Sequence, residues 1–169
     1  KIANKFKKNE KIKFLIVGAG SILNKLIEEK KKRKLDNLIF FGHKKTSQMG
    51  KYFLLADFMI LTLKKNKIFS NTVPNKLINY LYIGKPIISF ATGESSEIVE
   101  SANSGFVCKE TSIMKGKKVI NQAAIMSKKK LEILGINANK YYKKNFSHKK
   151  FELKFYEFLN KYNLNKHDK

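Results

Sequence analysis

Apolar residues in this chain fall into short continuous runs, separated by lysine-rich stretches with helical spacing. The first run, Ile12–Val17, ends at Gly18-Ala19-Gly20, and Ile22, Leu23, Leu26 and Ile27 then recur with a helical period. Asn37–Phe41 leads into Gly42, and a second helical pattern opens at Thr46 with Met49, Phe53 and Leu54 on one face. Asp57–Leu63 is again continuous and apolar, and Lys64–Pro74 reads as a polar loop. Asn75–Ile83 predicts a helix ended by Gly84, Lys85–Phe90 a strand, and Ser95–Asn103 a helix closed by Gly105. A last strand covers Phe106–Cys108. From about Ser112 the pattern is helical, with apolar repeats in Ile120–Met126 and Phe151–Leu159.

Continuous rather than alternating apolar runs mark strands covered on both faces, as in a parallel sheet. Strand and helix alternate through five strands. That order predicts an α/β fold: a doubly wound, Rossmann-like parallel sheet with a helical C-terminal tail, taking ligands at the carboxyl ends of its strands. The whole of residues 1–169 suits a single domain with a full-sized core. Lys1–Lys8 have the pattern of a helix tail, so a preceding strand is expected upstream of this chain. No run reaches the length of about 18 apolar residues that reads as a membrane-spanning helix.

The net charge of +23 adds a question of partners. Arg33 is the sole arginine among 36 basic residues, so the planar fork that reads phosphate and guanine bidentately is nearly absent. The lysines are scattered rather than clustered, which fits a solvated surface or attraction to an anionic membrane surface. Nucleic acid is the least favoured of the three. The single Cys108 allows no internal disulfide and no cysteine metal cluster, as expected in a reducing, cytoplasmic setting. His148 and His167 lie in the basic tail without acidic or cysteine partners in view, so no metal site is expected. Cys108 itself reads as a small core residue.

Gly18-Ala19-Gly20 sits at a strand-to-helix turn, where free backbone N–H groups can meet phosphate. A dinucleotide fingerprint would need a third glycine where Leu23 stands, so a plain tight turn competes with phosphate contact. The segment from Ser70 to Cys108 says more. Pro74 suits a helix start, and a helix N-terminus favours anions; Lys76 in that first turn adds an ammonium. Asn79, one turn on, lies near Lys76 and can hydrogen-bond hydroxyls. Gly84-Lys85-Pro86 returns the chain into a strand, after which Thr92-Gly93-Glu94-Ser95-Ser96-Glu97 opens another helix. Glu94 and Glu97 there place negative charge in a first helical turn.

This region, PNKLINYLYIGKPIIS followed by GESSEIVESANSGFVC, resembles family 4 (group 1) glycosyltransferases of the GT-B type, in the variant whose donor loop carries a P-S-K segment. FLIVGAG, NLIFFGH and LLADFMILTLK resemble earlier segments of that family in the same order, so the likeness runs from Ile12 to Cys108. The resemblance implies the C-terminal, nucleotide-sugar-binding half of a two-domain enzyme, with the acceptor-binding half elsewhere. It implies donor contacts at Gly18, Gly20, Gly42, His43, Asn71, Pro74, Asn75, Lys76, Leu77 and Asn79. Lys76 would face the diphosphate and carry the catalytic charge, Gly20 would line the phosphate channel, and the Gly42-His43 turn would read the base. The family's two glutamates, with seven residues between them, fall at Asn71 and Asn79, so this chain departs from the pattern at both.

The resemblance further implies a hexosyl- or N-acetylhexosaminyl-transferase acting in surface polysaccharide or glycolipid synthesis. Its donor would be a nucleoside-diphosphate sugar, expected to be UDP-linked, and no cofactor or metal would be needed. The setting would be cytoplasmic, peripheral at the inner face of the plasma membrane. This chain alone is expected to bind the donor without turning it over, because its partner half would hold the acceptor. Two rivals stand beside this reading: a degenerate, non-catalytic GT-B scaffold, for which the two asparagines speak, and half of a nucleotide-sugar 2-epimerase.

Overall fold

The computed structural model describes residues 1–63, 70–110 and 112–162. A short helix α1 (Ile2–Lys5) precedes strand β1 (Phe14–Val17), helix α2 (Leu23–Arg33) and strand β2 (Leu38–Gly42). A 3-10 turn (Thr46–Gln48) runs into α3 (Met49–Leu55), then β3 (Met59–Leu61). After the segment that ends at Pro74 come α4 (Asn75–Ile83), β4 (Ile87–Ser89), α5 (Glu94–Ser101) and β5 (Gly105–Val107). The tail is three helices, α6 (Ile113–Ala124), α7 (Lys128–Asn145) and α8 (His148–Lys161). The mixed α/β architecture with wholly parallel pairing is the one the sequence predicts, and the Asn75–Ile83 helix ends where expected, at Gly84 in the left-handed conformation.

The local reasons are legible. Pro74 is extended (φ −74°, ψ 145°) and cannot donate, so the helix begins immediately after it. Ser112, Ser127 and Ser147 each accept the backbone N–H three residues on, which fixes the starts of α6, α7 and α8. Lys85 bends back so that its Nζ donates to the Ala56 carbonyl at 2.7 Å, tying the start of β4 to the end of α3.

Strand β4 is covered on both faces because successive side chains alternate. Ile87 points into a cluster with Leu61, Leu77, Leu81, Val99 and Ala138, whereas Ile88 joins Phe6, Ile12, Ile120 and Ala123. The partly buried Phe14 of β1 packs against this second cluster together with Phe58 and Phe106, so both sheets share one core.

Three expectations need correcting. The strands form two parallel sheets, β1–β2 and β3–β4–β5, rather than one ladder. Consequently β1 and β2 are only half-buried along their length despite their apolar sequences, since neither is an interior strand. On α2 the helical stripe exists but stays wet: Ile22 and Leu26 are exposed, and no α2 residue is fully buried. Leu54 is likewise exposed while Phe53 packs on the core, because α3 ends one residue later and turns only Phe53 inward. The tail also corrects one detail: His148 does have an acidic partner, Glu152 at 3.2 Å one helical turn away. His167 and residues 64–69 of the expected polar loop lie outside the described residues.

Candidate functional site

The sequence candidates gather at carboxyl ends of parallel strands. At the first sheet, the N–H of Gly18 donates to the Gly42 carbonyl at 2.8 Å, which clamps the ends of β1 and β2 together. Gly18 and Gly42 both have positive φ, at 140° and 66°. Gly20 lies in an exposed turn with open space around it, and its carbonyl accepts from Leu23 at the start of α2. His43 follows Gly42 on the surface. These four residues therefore share one edge, three of them glycines that offer only backbone, with His43 exposed beside them.

At the second sheet, two helix N-termini are bound to one loop. Ser95 in the first turn of α5 donates from Oγ to the Thr72 carbonyl at 2.9 Å. Gly93, just before α5, lies so close to Ser70 that no side chain fits there. Ser89 and Ser96, both fully buried, bond to each other at 3.1 Å, and Ser96 Oγ donates to the Ala91 carbonyl at 2.8 Å. That serine pair holds the end of β4 to α5. The hydroxyls were visible in the sequence only as capping-type residues. Their pairing across the strand–helix junction needed the fold.

The loop so held carries Asn71, exposed, and Pro74, half-buried. Asn71 Oδ1 accepts weakly from Ser70 Oγ at 3.4 Å. On α4, Asn75, Lys76 and Asn79 are exposed, the last two one turn apart on one face. Leu77 is different. It is fully buried in the core and its N–H donates to the Pro74 carbonyl at 2.8 Å, so its part is to anchor the turn, not to present a side chain to a ligand.

Electrostatically the site is open to anions. No side chain caps α4 or α5, as is also true of α1, α2 and α3, whereas the three tail helices are capped by serines. In α4 the N–H groups of the exposed Asn75 and Lys76 are thus without a cap, with the positive end of the helix dipole behind them, whereas Ser95 and Ser96 in the first turn of α5 are fully buried and that helix end is not open to solvent. Lys76 has no ion-pair partner among the described residues. Glu94 and Glu97 lie exposed in the first turn of α5 and place two carboxylates at that helix end. Among the described residues no group of three His, Cys, Asp or Glu side chains could hold a metal ion.

Comparison with known proteins places this geometry. Among solved structures, a glycosyltransferase from Rickettsia africae ESF-5 superposes with a TM-score of 0.77 at 18% identity, over 99% of this chain and 44% of that one. A TarM mutant from S. aureus, in complex with fondaparinux, alpha-GlcNAc-glycerol and UDP, gives 0.72 at 17% identity, over 94% and 31%. Anabaena HepE in complex with UDP and glucose gives 0.67 at 18%, over 88% and 40%. The chain thus spans less than half the length of each of these structures, and at such identities the likeness establishes the fold: one Rossmann-like half of a GT-B architecture. No curated protein sequence matches this chain. The family model for group 1 glycosyl transferases matches residues 1–150, and the chain accordingly belongs to that family.

Proposed function

We propose that this chain is the donor domain of a glycosyltransferase and binds a nucleoside-diphosphate sugar across the carboxyl edge of its strands. The observation that carries the reading is the exposed, uncapped N-terminus of α4 with the unpaired Lys76 in its first turn, at the end of a loop that Ser95 and Gly93 hold against α5. A diphosphate satisfies the free N–H groups and the ammonium together. In transfer, negative charge grows on the leaving diphosphate as the sugar–oxygen bond breaks. Lys76 and the N-terminal end of α4 are placed to stabilise that charge, without reorganisation at the moment of reaction. Neither step calls on a cofactor or a metal.

The Gly42-His43 turn takes the base side and Gly18 to Gly20 the phosphate channel. Asn75 sits at the helix mouth, and Asn79 hydrogen-bonds ribose hydroxyls as a neutral donor and acceptor. UDP is the favoured nucleotide, since HepE and the TarM mutant are structures with UDP. A second half, supplied by the longer protein, would bring the acceptor and any catalytic base, so this chain alone binds donor without turnover. Surface polysaccharide or glycolipid synthesis at the cytoplasmic face of the membrane is the setting the family resemblance suggests.

Asn71 and Asn79 favour one rival, a degenerate scaffold. Thermal stability against UDP, GDP, ADP, dTDP and CMP separates the two. Binding to the folded state alone stabilises by about 2.7 kcal/mol at a hundredfold excess over Kd. One diphosphate shifting the midpoint supports the donor domain; no shift at millimolar concentration supports the scaffold.

A further inference from the structure

The junction of β4 and α5 buries three serines completely, Ser89, Ser95 and Ser96, in a stretch of chain that also gives Ala91, Ile98 and Val99 to the core. A hydroxyl taken out of water costs free energy unless it is hydrogen-bonded, and each serine has one proton to give. Ser96 Oγ gives its proton to the Ala91 carbonyl at 2.8 Å. In the 3.1 Å pair it is therefore Ser89 that donates to Ser96, while Ser89 Oγ accepts the Ala91 N–H at 3.2 Å. That ring closes on itself. Ser95 differs: its Oγ sends its proton out of the junction, to the Thr72 carbonyl at 2.9 Å, 23 residues earlier in the chain.

Only Val73 and Pro74 separate Thr72 from the start of α4. Val73 packs on the core and the proline ring holds φ of Pro74 at −74°, so this tether is short and stiff. Leu77 anchors α4 itself from within. It does not fix the chain that enters the helix past the uncapped first turn with Asn75 and Lys76. We propose that Ser95 is a positioning residue for the diphosphate: through the Thr72 carbonyl it holds residues 71–74 in the path that leaves the first turn of α4 open to an anion. The inference rests on the donor-domain reading above. Ser95 is fully buried inside this chain, so it acts without touching the ligand and independently of whatever meets the surface. Fixing the loop before binding removes an ordering cost from association. A hydroxyl with a purely structural role would behave as that of Ser96 does, which makes Ser96 the control.

The test is calorimetric titration of the chain with UDP, GDP and ADP, and then of its variants with whichever of the three binds the parent most tightly. Ser95→Ala is expected to raise Kd about three- to tenfold, the range for one lost hydrogen bond. Ser96→Ala is expected to lower the denaturant midpoint comparably but to leave Kd within about twofold of the parent's. Ser95→Cys keeps a similar volume and a weaker donor, so its Kd is expected between those of the parent and the alanine variant. It also takes the place of Ser95→Ala should circular dichroism show that variant unfolded. The proposal is overturned if the Ser95 variants bind like the parent, or if Ser96→Ala weakens binding as much as Ser95→Ala does. Failure of the parent to bind any of the three nucleotides at millimolar concentration overturns the donor-domain reading itself, and this proposal with it.

Discussion

Gly93 lies against the carbonyl of Ser70, so closely that a β-carbon on Gly93 would run into the Ser70 backbone. Gly93 also has φ of 71°, where L side chains are strained. This one contact seats the loop bearing Asn71 on the residue that opens α5. Gly93→Ala is therefore expected to cost about 1–3 kcal/mol in denaturant unfolding and to abolish any nucleotide-induced thermal shift. Retention of the full shift in this variant would separate the loop from the site.

Lys76 is exposed, so its removal tests binding with little effect on folding. Lys76→Ala is expected to leave stability within about 0.5 kcal/mol. Nucleoside diphosphate affinity, measured by calorimetry, is expected to fall by about tenfold or more, as for loss of a charge-assisted contact. Asn79→Ala should weaken a nucleoside as well as its diphosphate, whereas Lys76→Ala should spare the nucleoside.

Far from that site, Gly84 and Gly135 meet where α4 ends and α7 crosses it; a β-carbon on Gly84 would lie 3.1 Å from the Gly135 carbonyl, and one on Gly135 would strike the Gly84 carbonyl. Asn139 Nδ2 donates to the Tyr82 carbonyl at 2.6 Å beside this crossing. Gly135→Ala is expected to destabilise by about 1–3 kcal/mol through forced separation of the two helices. Nucleotide affinity measured on the folded protein should be unchanged, because the crossing is at the other end of α4 from Lys76.

Tyr80 is buried in the core, and desolvation pushes its phenol up from 10.0 to about 12. A raised folded value means that the unfolded chain releases the proton first. The contribution of the neutral phenol is thus complete below pH 10 and lost as pH rises from about 10 to about 12. Comparing the alkaline melting curves of the parent and Tyr80→Phe isolates this effect from the lysines that titrate in the same range. The phenylalanine variant should lose less stability over that window.

Much of this protein was legible in its sequence, for physical reasons that are local. Continuous apolar runs announced parallel strands, and Pro74 and Gly84 marked the two ends of α4 because one cannot donate and the other can turn left-handed. The candidate residues at Gly18, Gly42 and Lys76 were readable because strand-to-helix turns and helix starts have their own chemistry. What tertiary structure alone decided depends on distant partners. Leu77 shares the helix turn of Lys76, yet packing put it in the core. Ser89 and Ser96 found each other only when β4 met α5. The ladder divided into two sheets, leaving β1 and β2 half-buried, and α8 kept its aromatic face in solvent. Periodicity tells which face of an element is apolar; only the arrangement of the other elements determines whether anything covers it.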